Sequence, residues 1–222
     1  MIKKDVEKFI TGKYHNSLDT ITNLSKTDGG EAFIISDEKM YNYDTITKEL
    51  FVNRNIPSSA DAIDFSNNYI EIFEFKTGFK KKITRENFDK SKMTCPKTNK
   101  YCKEYGDLFF KGQRKETEQL IDSIRLKAIE SYITLEKMIM PTCNNTTDDL
   151  KLCFCVIIDS DDIDSMEDTL TELANVEVKN NSVADVKKAL SRFCNKADVT
   201  GNTYYYDSIE VLSPIEFKSR II

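Results

Sequence analysis

The chain has 222 residues, of which 40% are hydrophobic and 31% charged, and its formal net charge at pH 7 is −5. This length supports one sizeable core, so we expect a single domain over residues 1–222. No apolar run is long enough to cross a membrane and the N-terminus lacks the apolar core of a signal peptide, which predicts an intracellular, soluble, cytoplasmic protein with reduced cysteines. The only histidine is His15, which argues against a histidine-dependent triad or a histidine-rich zinc site.

The first fifty residues predict short helices interrupted by glycines. Residues 5–10 and 16–24 have helical spacing, with Asn16 or Ser17 as a candidate cap of the second helix. A glycine pair then breaks the chain. Residues 31–49 fit either a helix or an extended segment.

Residues 59–78 predict an antiparallel β-hairpin. Two runs rich in Ile, Phe and Tyr, 60–65 and 69–75, flank a polar turn. A two-residue loop at Asn67 and Asn68 fixes which residues face each other across the two strands. One face of the hairpin is then an apolar surface made of Ile63, Phe65, Ile70 and Ile72.

The same register brings charged residues together at the far end of that face. Asp61 faces Glu74, and Lys76 follows on the same side of the strand. Two carboxylates about 4 Å apart repel by roughly 4 kcal/mol at an effective dielectric near 20, and Mg²⁺ or Mn²⁺ would relieve this repulsion. Two alternatives stay open: a four-residue loop would place Asp64 beside Glu74 instead, and Glu74 with Lys76 fits a solvent-exposed charge pair.

Asp61 followed by Glu74-Phe75-Lys76 resembles the D...(D/E)xK signature of the PD-(D/E)XK nuclease superfamily, with a spacing similar to that of archaeal Holliday-junction resolvases. Ala60 stands where many members have Pro. The resemblance implies a restriction-endonuclease-like fold and a catalytic metal site. Asp61, Glu74 and the Phe75 carbonyl would bind Mg²⁺ or Mn²⁺, and Lys76 would position the attacking water.

The resemblance also implies contributions from the segments on either side of the hairpin. An upstream glutamate often adds a metal ligand or orients one, and Glu31 is its counterpart here. A helix after the hairpin often sends a Gln or Lys toward the metal. Three residues remain open for that role, namely Gln113, Lys115 and Gln119.

The residues after Lys76 predict a basic insertion at about 79–114. Between Lys76 and Lys115, thirteen Lys or Arg stand against four Asp or Glu, so the rest of the chain is strongly acidic. A basic surface next to the acidic site is suited to tracking phosphates, whereas the alternative is a solvated Lys-rich loop. The candidate nucleic-acid contacts are Lys80, Lys81, Lys82, Arg85, Arg114 and Lys115.

The remaining elements complete an α/β pattern. Residues 115–140 carry a wide apolar stripe typical of a helix, and the apolar run 150–159 predicts a central strand buried on both faces. Residues 161–173 and 182–194 have helical spacing, and 204–212 alternates as a closing strand. Together with the hairpin, they predict a mixed central β-sheet flanked by helices.

The sequence as a whole therefore predicts a metal-dependent endonuclease or related phosphodiesterase. Nucleic acid is the expected partner, DNA in preference to RNA, and a homodimer is left open because many members of the superfamily act as dimers. The alternative is a non-catalytic binding or regulatory module that keeps the nuclease-like fold and contacts nucleic acid or a partner protein.

Overall fold

A six-stranded mixed β-sheet lies between helices on both of its faces. The computed structural model describes residues 2–27, 29–52, 55–79, 103–139, 150–159, 182–193 and 205–221. The strands are β1 (Leu18–Thr20), β2 (Lys39–Asn42), β3 (Ala62–Asp64), β4 (Ile70–Lys76), β5 (Leu152–Ile158) and β6 (Ser208–Leu212). The helices are α1 (Ile2–Lys13), α2 (Ile21–Leu24), α3 (Tyr43–Leu50), α4 (Lys103–Ile139), α5 (Ser182–Leu190) and α6 (Pro214–Ile221).

The strands lie side by side in sequence order, and their directions change character at β4. Strands β1 to β4 are antiparallel neighbours, whereas β5 is parallel to β4 and β6 is parallel to β5. Parallel neighbours need a crossover connection, and helix α4 lies between β4 and β5 in the chain. The predicted α/β class with a mixed central sheet flanked by helices is confirmed.

The β3–β4 hairpin has the predicted register. Ile63 faces Ile72 and Asp64 faces Glu71. The Asp61 N–H donates to the Phe73 carbonyl at 2.9 Å, which continues the pairing beyond β3. The connection spans residues 65–69 and is thus wider than a two-residue loop, but the pairs across the strands are unchanged.

The described residues form two hydrophobic cores on opposite faces of the sheet. The larger one contains the predicted apolar surface of the hairpin and packs against α1, α4 and α5, whereas the smaller one packs against α2 and α6. All seven residues of β5 are buried. The predicted central strand within 150–159 is confirmed, because a strand covered on both faces is apolar throughout.

The N-terminal prediction was wrong in part. Helix α1 continues through Gly12, and residues 16–24 do not form one helix but a 3₁₀ turn, strand β1 and the short α2. Pairing of β1 with β2 overrides the local helical spacing of this segment. The cap of α2 is Thr20, whose hydroxyl accepts from the Asn23 N–H, and not Asn16 or Ser17.

Residues 31–49 contain both structures that the sequence left open. An irregular loop precedes β2, and α3 follows with the Asn42 side chain accepting from the Thr45 N–H at 2.8 Å. This is an N-cap.

Helix α4 begins twelve residues before the predicted start at Lys115. Its 37 residues span about 55 Å. None of the helices in the described part of the chain is long and apolar enough to cross a membrane.

The C-terminal elements agree with prediction where they are described. Helix α5 and a 3₁₀ turn cover 182–193, and β6 lies inside the predicted 204–212, whereas 161–173 is outside the described residues. Helix α6 was missed. It begins with a reciprocal cap, in which the Glu216 carboxylate accepts from the Ser213 N–H and the Ser213 hydroxyl accepts from the Glu216 N–H.

Candidate acidic metal centre

Asp61 and Glu74 meet at the end of the hairpin, and a lysine from helix α4 bridges them. Lys127 Nζ donates to Glu74 Oε2 at 2.7 Å and to Asp61 Oδ1 at 3.2 Å. Asp61 Oδ2 accepts from the Phe75 N–H at 2.7 Å. Glu74 is 0% exposed, so the alternative of a solvent-exposed Glu74–Lys76 pair was wrong.

The backbone around Asp61 is fixed from three sides. Its carbonyl accepts from the Tyr43 N–H at 3.0 Å, at the start of α3. The Ala60 N–H donates to Ser131 Oγ on α4 at 2.8 Å, and the Tyr43 hydroxyl donates to the Ser131 carbonyl at 2.8 Å. Because Lys127 and Ser131 are one turn apart on α4, the same helix face holds the backbone at Ala60, next to Asp61, and the Asp61 carboxylate.

Burial and like charge perturb the acid groups of this cluster. Burial and the neighbouring Asp61 carboxylate raise the pKa of Glu74 to about 8. Burial also raises the pKa of Asp61, although Lys127 and the Phe75 N–H oppose this shift. Burial lowers the pKa of Lys127, but the two carboxylates outweigh it and raise that pKa above its usual value. At neutral pH the cluster therefore keeps a proton on Glu74 and a charge on Lys127.

One oxygen of the cluster has no partner. Glu74 Oε1 is buried and accepts no hydrogen bond among the described residues. A buried carboxyl oxygen without a partner costs free energy whether Glu74 is protonated or ionised, and an ion bound there would displace the proton and pair this oxygen. The Phe73 carbonyl accepts from Asp61, and the period of two along β4 directs the Phe75 carbonyl to the same side. Two carboxylates and a carbonyl form an all-oxygen donor set that suits Mg²⁺ or Mn²⁺.

Lys76 follows the acidic pair on β4, and Asp159 holds the segment after it. Lys76 is half-buried, and its charge lowers the pKa of Glu74, against the larger effects of burial and Asp61. Asp159, at the end of β5, accepts from the Gly78 N–H at 3.1 Å and from the Phe79 N–H at 2.8 Å. Gly78 has a φ of +104° and a Cβ there would lie 3.1 Å from Leu120 Cδ1, so the turn requires glycine.

The other sequence candidates lie elsewhere. Glu31 is exposed in the loop before β2, and none of the described interactions of Asp61 or Glu74 involves it. Asp64 is on the opposite face of the hairpin and faces Glu71, so it is not the partner of Glu74.

The predicted contribution from the helix after the hairpin comes from an unexpected position. Gln113, Lys115 and Gln119 lie on the first half of α4 and are half-buried or exposed, whereas Lys127 contacts both carboxylates. The sequence feature that indicates Lys127 as a site residue is its position within the apolar stripe of α4. It lies three residues after the buried Ile124 and four before the buried Ser131.

The nucleic-acid candidates are only partly described. Arg114 and Lys115 are exposed on the first half of α4. The other four, Lys80, Lys81, Lys82 and Arg85, lie outside the described residues.

Comparisons of the chain with protein-family models, with curated proteins and with solved structures give no match. Function is therefore inferred from the chemistry of the acidic cluster and from the order of the elements around it.

Proposed function

We propose that the chain is a metal-dependent phosphodiesterase with a restriction-endonuclease-like fold, and that it cleaves nucleic acid, DNA in preference to RNA. The observation that carries the proposal is the meeting of Asp61 with the fully buried Glu74, one oxygen of which has no hydrogen-bond partner among the residues that the structure describes. Further support comes from the element order, since the hairpin is followed by a helix and a parallel strand. The proposed family relationship rests on the motif and this order.

The residues of the cluster suit a hard divalent ion. Asp61, Glu74 and the Phe75 carbonyl would hold Mg²⁺ or Mn²⁺, which supplies Lewis-acid polarisation of a phosphoryl oxygen and acidifies water. Lys76 follows Glu74 by two residues on the same side of β4, where it would orient the attacking water and offset negative charge building on the phosphate. The Asp159 contacts keep the chain after Lys76 in place, which preserves that orientation.

Lys127 has a separate part in this proposal. Its ammonium neutralises the acidic pair in the absence of an ion and competes for the same oxygens. The side chain is 22% exposed, so it has a route to solvent when it leaves those oxygens. Once the Lys127 ammonium has left the two carboxylates, it adds a second positive charge, besides that of Lys76, near a bound phosphate.

The test combines cleavage with metal binding. We expect cleavage of duplex DNA, single-stranded DNA or RNA with Mg²⁺ or Mn²⁺, and metal-dependent thermal stabilisation of the protein. Asp61→Asn should abolish both. Asp64→Asn is the matched control, because Asp64 lies on the same strand segment but faces away, and it should retain both. Lys76→Ala should retain metal stabilisation and lose turnover, since its role is not that of a ligand.

The Lys127 bridge favours a second candidate function, a non-catalytic module that binds nucleic acid or a protein. In that case the ammonium is the permanent counter-ion of Asp61 and Glu74, and the site needs no metal. Such a protein would show no thermal stabilisation with Mn²⁺ and no cleavage, while any nucleic-acid binding would survive Asp61→Asn. Those three results together would refute the nuclease proposal and support the non-catalytic binding module.

A further inference from the structure

A second polar cluster lies on the opposite face of the sheet, beneath helix α6. Glu71 on β4 stands directly beside Cys153 on β5, and Cys155 follows on the same face of β5. The two sulfur atoms are 3.5 Å apart, and a Glu71 carboxylate oxygen and both sulfurs all lie within 4.8 Å of one another. All three side chains are buried. The acidic centre with Asp61 and Glu74 uses none of them.

We propose that Glu71, Cys153 and Cys155 form a binding site for a soft divalent cation, with Zn²⁺ as the natural occupant. Zinc bound to thiolates at about 2.3 Å and to a carboxylate at about 2.1 Å in tetrahedral geometry separates its donor atoms by roughly 3.5 to 3.8 Å. The sulfur pair is already close to that separation. Small rotations of the Glu71 side chain would complete the three-ligand set, which leaves one coordination position open.

The neighbouring arginine makes the charges of this site balance. Arg220 donates to Glu71 Oε1 and to Glu210 Oε2, and its Nη1 lies 3.6 Å from Cys155 Sγ. Without an ion, two neutral thiols, the carboxylates of Glu71 and Glu210 and one guanidinium sum to −1, and the excess negative charge belongs to the partly exposed Glu210. With Zn²⁺, two thiolates and the same two carboxylates oppose the ion and Arg220, and the sum is again −1. Binding therefore releases two protons, one from each thiol, and leaves no uncompensated buried charge.

The arginine also provides a route into the cluster. Arg220 is 26% exposed and Glu210, its second partner, is 37% exposed, whereas Glu71 is 1% exposed. An incoming ion can displace Arg220 from Glu71 while the guanidinium remains paired with Glu210. The second Glu71 oxygen, Oε2, stays fixed by the Asn67 side chain at 2.6 Å. Thus Oε2 of Glu71 keeps its hydrogen bond to Asn67, whereas Oε1 can exchange Arg220 for the ion.

A disulfide is the competing use of two adjacent thiols, and the strand geometry opposes it. Residues two apart on a strand have Cα atoms about 6.6 Å apart, at the upper end of the range that a disulfide accepts. Closing the sulfurs to bonding distance would bend β5, which is paired on both sides.

The type of ligand atom also distinguishes this site from the acidic centre, because thiolates select zinc-like ions and oxygens select Mg²⁺ or Mn²⁺.

The experiment is a Co²⁺ and Zn²⁺ titration of the full-length, chelator-treated, reduced protein. We expect one equivalent of Co²⁺ to produce thiolate-to-cobalt charge-transfer absorption that Zn²⁺ abolishes and excess Mg²⁺ does not, with two protons released per ion in weakly buffered solution. The C153S/C155S double variant should lose this signal. Glu71→Gln should weaken binding at least tenfold while keeping the thiolate absorption.

The other cysteines provide the matched control. Replacing Cys95, Cys102, Cys143 and Cys194 with Ser should leave the one-equivalent signal intact, and so should Asp61→Asn. If the signal disappears in the fourfold Ser variant and survives in the C153S/C155S variant, the site is elsewhere in the chain. If the native protein gives no charge-transfer band, the proposal is wrong. If C153S/C155S fails to fold, the Glu71→Gln and fourfold Ser variants still decide between these results.

Discussion

Replacing Lys127 with Met tests whether this ammonium competes with a metal ion. Nζ lies 2.7 and 3.2 Å from the oxygens of Glu74 and Asp61. An ion bound to the same oxygens would lie about 4 Å from Nζ. At that distance the +2 charge of the ion and the +1 charge of the ammonium repel by about 2 kcal/mol at a water-like dielectric and by about 8 kcal/mol at an effective dielectric near 20. The lower figure alone corresponds to about thirtyfold in affinity. We expect Lys127→Met to bind Mn²⁺ at least tenfold more tightly than the native protein.

The assay is isothermal titration calorimetry with Mn²⁺ at pH 9. In the native protein that pH is above the pKa of about 8 for Glu74, so protons compete less with the ion for its carboxylate. Loss of Lys127 raises this pKa, so the Mn²⁺ affinity of the variant measured at pH 9 is a lower limit. Lys137→Met is the matched control, because Lys137 is exposed on the same helix, and its Mn²⁺ affinity should equal that of the native protein. Circular dichroism establishes that both variants are folded. An equal or weaker Mn²⁺ affinity in folded Lys127→Met would refute the idea that this ammonium competes for the ligand oxygens.

Three further predictions follow from the same structure. The pKa of Glu74 is raised to about 8 from a usual 4.5, so the metal-free folded protein holds a proton that the unfolded chain loses. The free energy of unfolding should therefore fall by up to about 1.4 kcal/mol per pH unit between about pH 5 and 8. In denaturant titrations, Glu74→Gln should show a weaker dependence of that free energy on pH. Asp159→Asn leaves the Gly78 or Phe79 N–H without its acceptor and should cost about 1 to 2 kcal/mol in urea unfolding, so an unchanged unfolding free energy would contradict this role. Changing the four basic residues of 80–85 to Gln should flatten the salt dependence of nucleic-acid binding by up to about 0.9 log units per lost phosphate contact, and an unaltered slope would place them outside the interface.

The hairpin was predictable because its information is local. Alternation with a period of two fixes the two faces, and the polar turn fixes the partners, so Asp61 and Glu74 could be paired from the sequence. The central position of β5 was predictable for a related reason, since burial on both faces leaves a continuous apolar run. These features require no knowledge of distant contacts.

The failures involve contacts between distant parts of the chain. Residues 18–20 have helical neighbours in sequence, but pairing with β2 makes them a strand. Lys127 was missed although it lies in the apolar stripe, because α4 contains several lysines and the contacts of the helix with Ala60, Asp61 and Glu74 identify the one that enters the site. Glu71 lies on the face of β4 opposite the acidic pair, and nothing in the sequence indicated that Arg220, in a helix that was not predicted, would pair with it.

The position of β4, between an antiparallel and a parallel neighbour, has a consequence for the order of folding. The hairpin with β3 closes a short loop, an event of about 1–10 μs, whereas pairing with β5 must first close the long loop that contains α4. Asp61 and Glu74 are therefore expected to meet early, in a hairpin whose carboxylates are still hydrated and fully ionised. Glu71 meets Cys153 only at the late, long-range step. Early contacts slow folding when they are mutated and late contacts mainly speed unfolding, so the two faces of one strand should give opposite kinetic signatures.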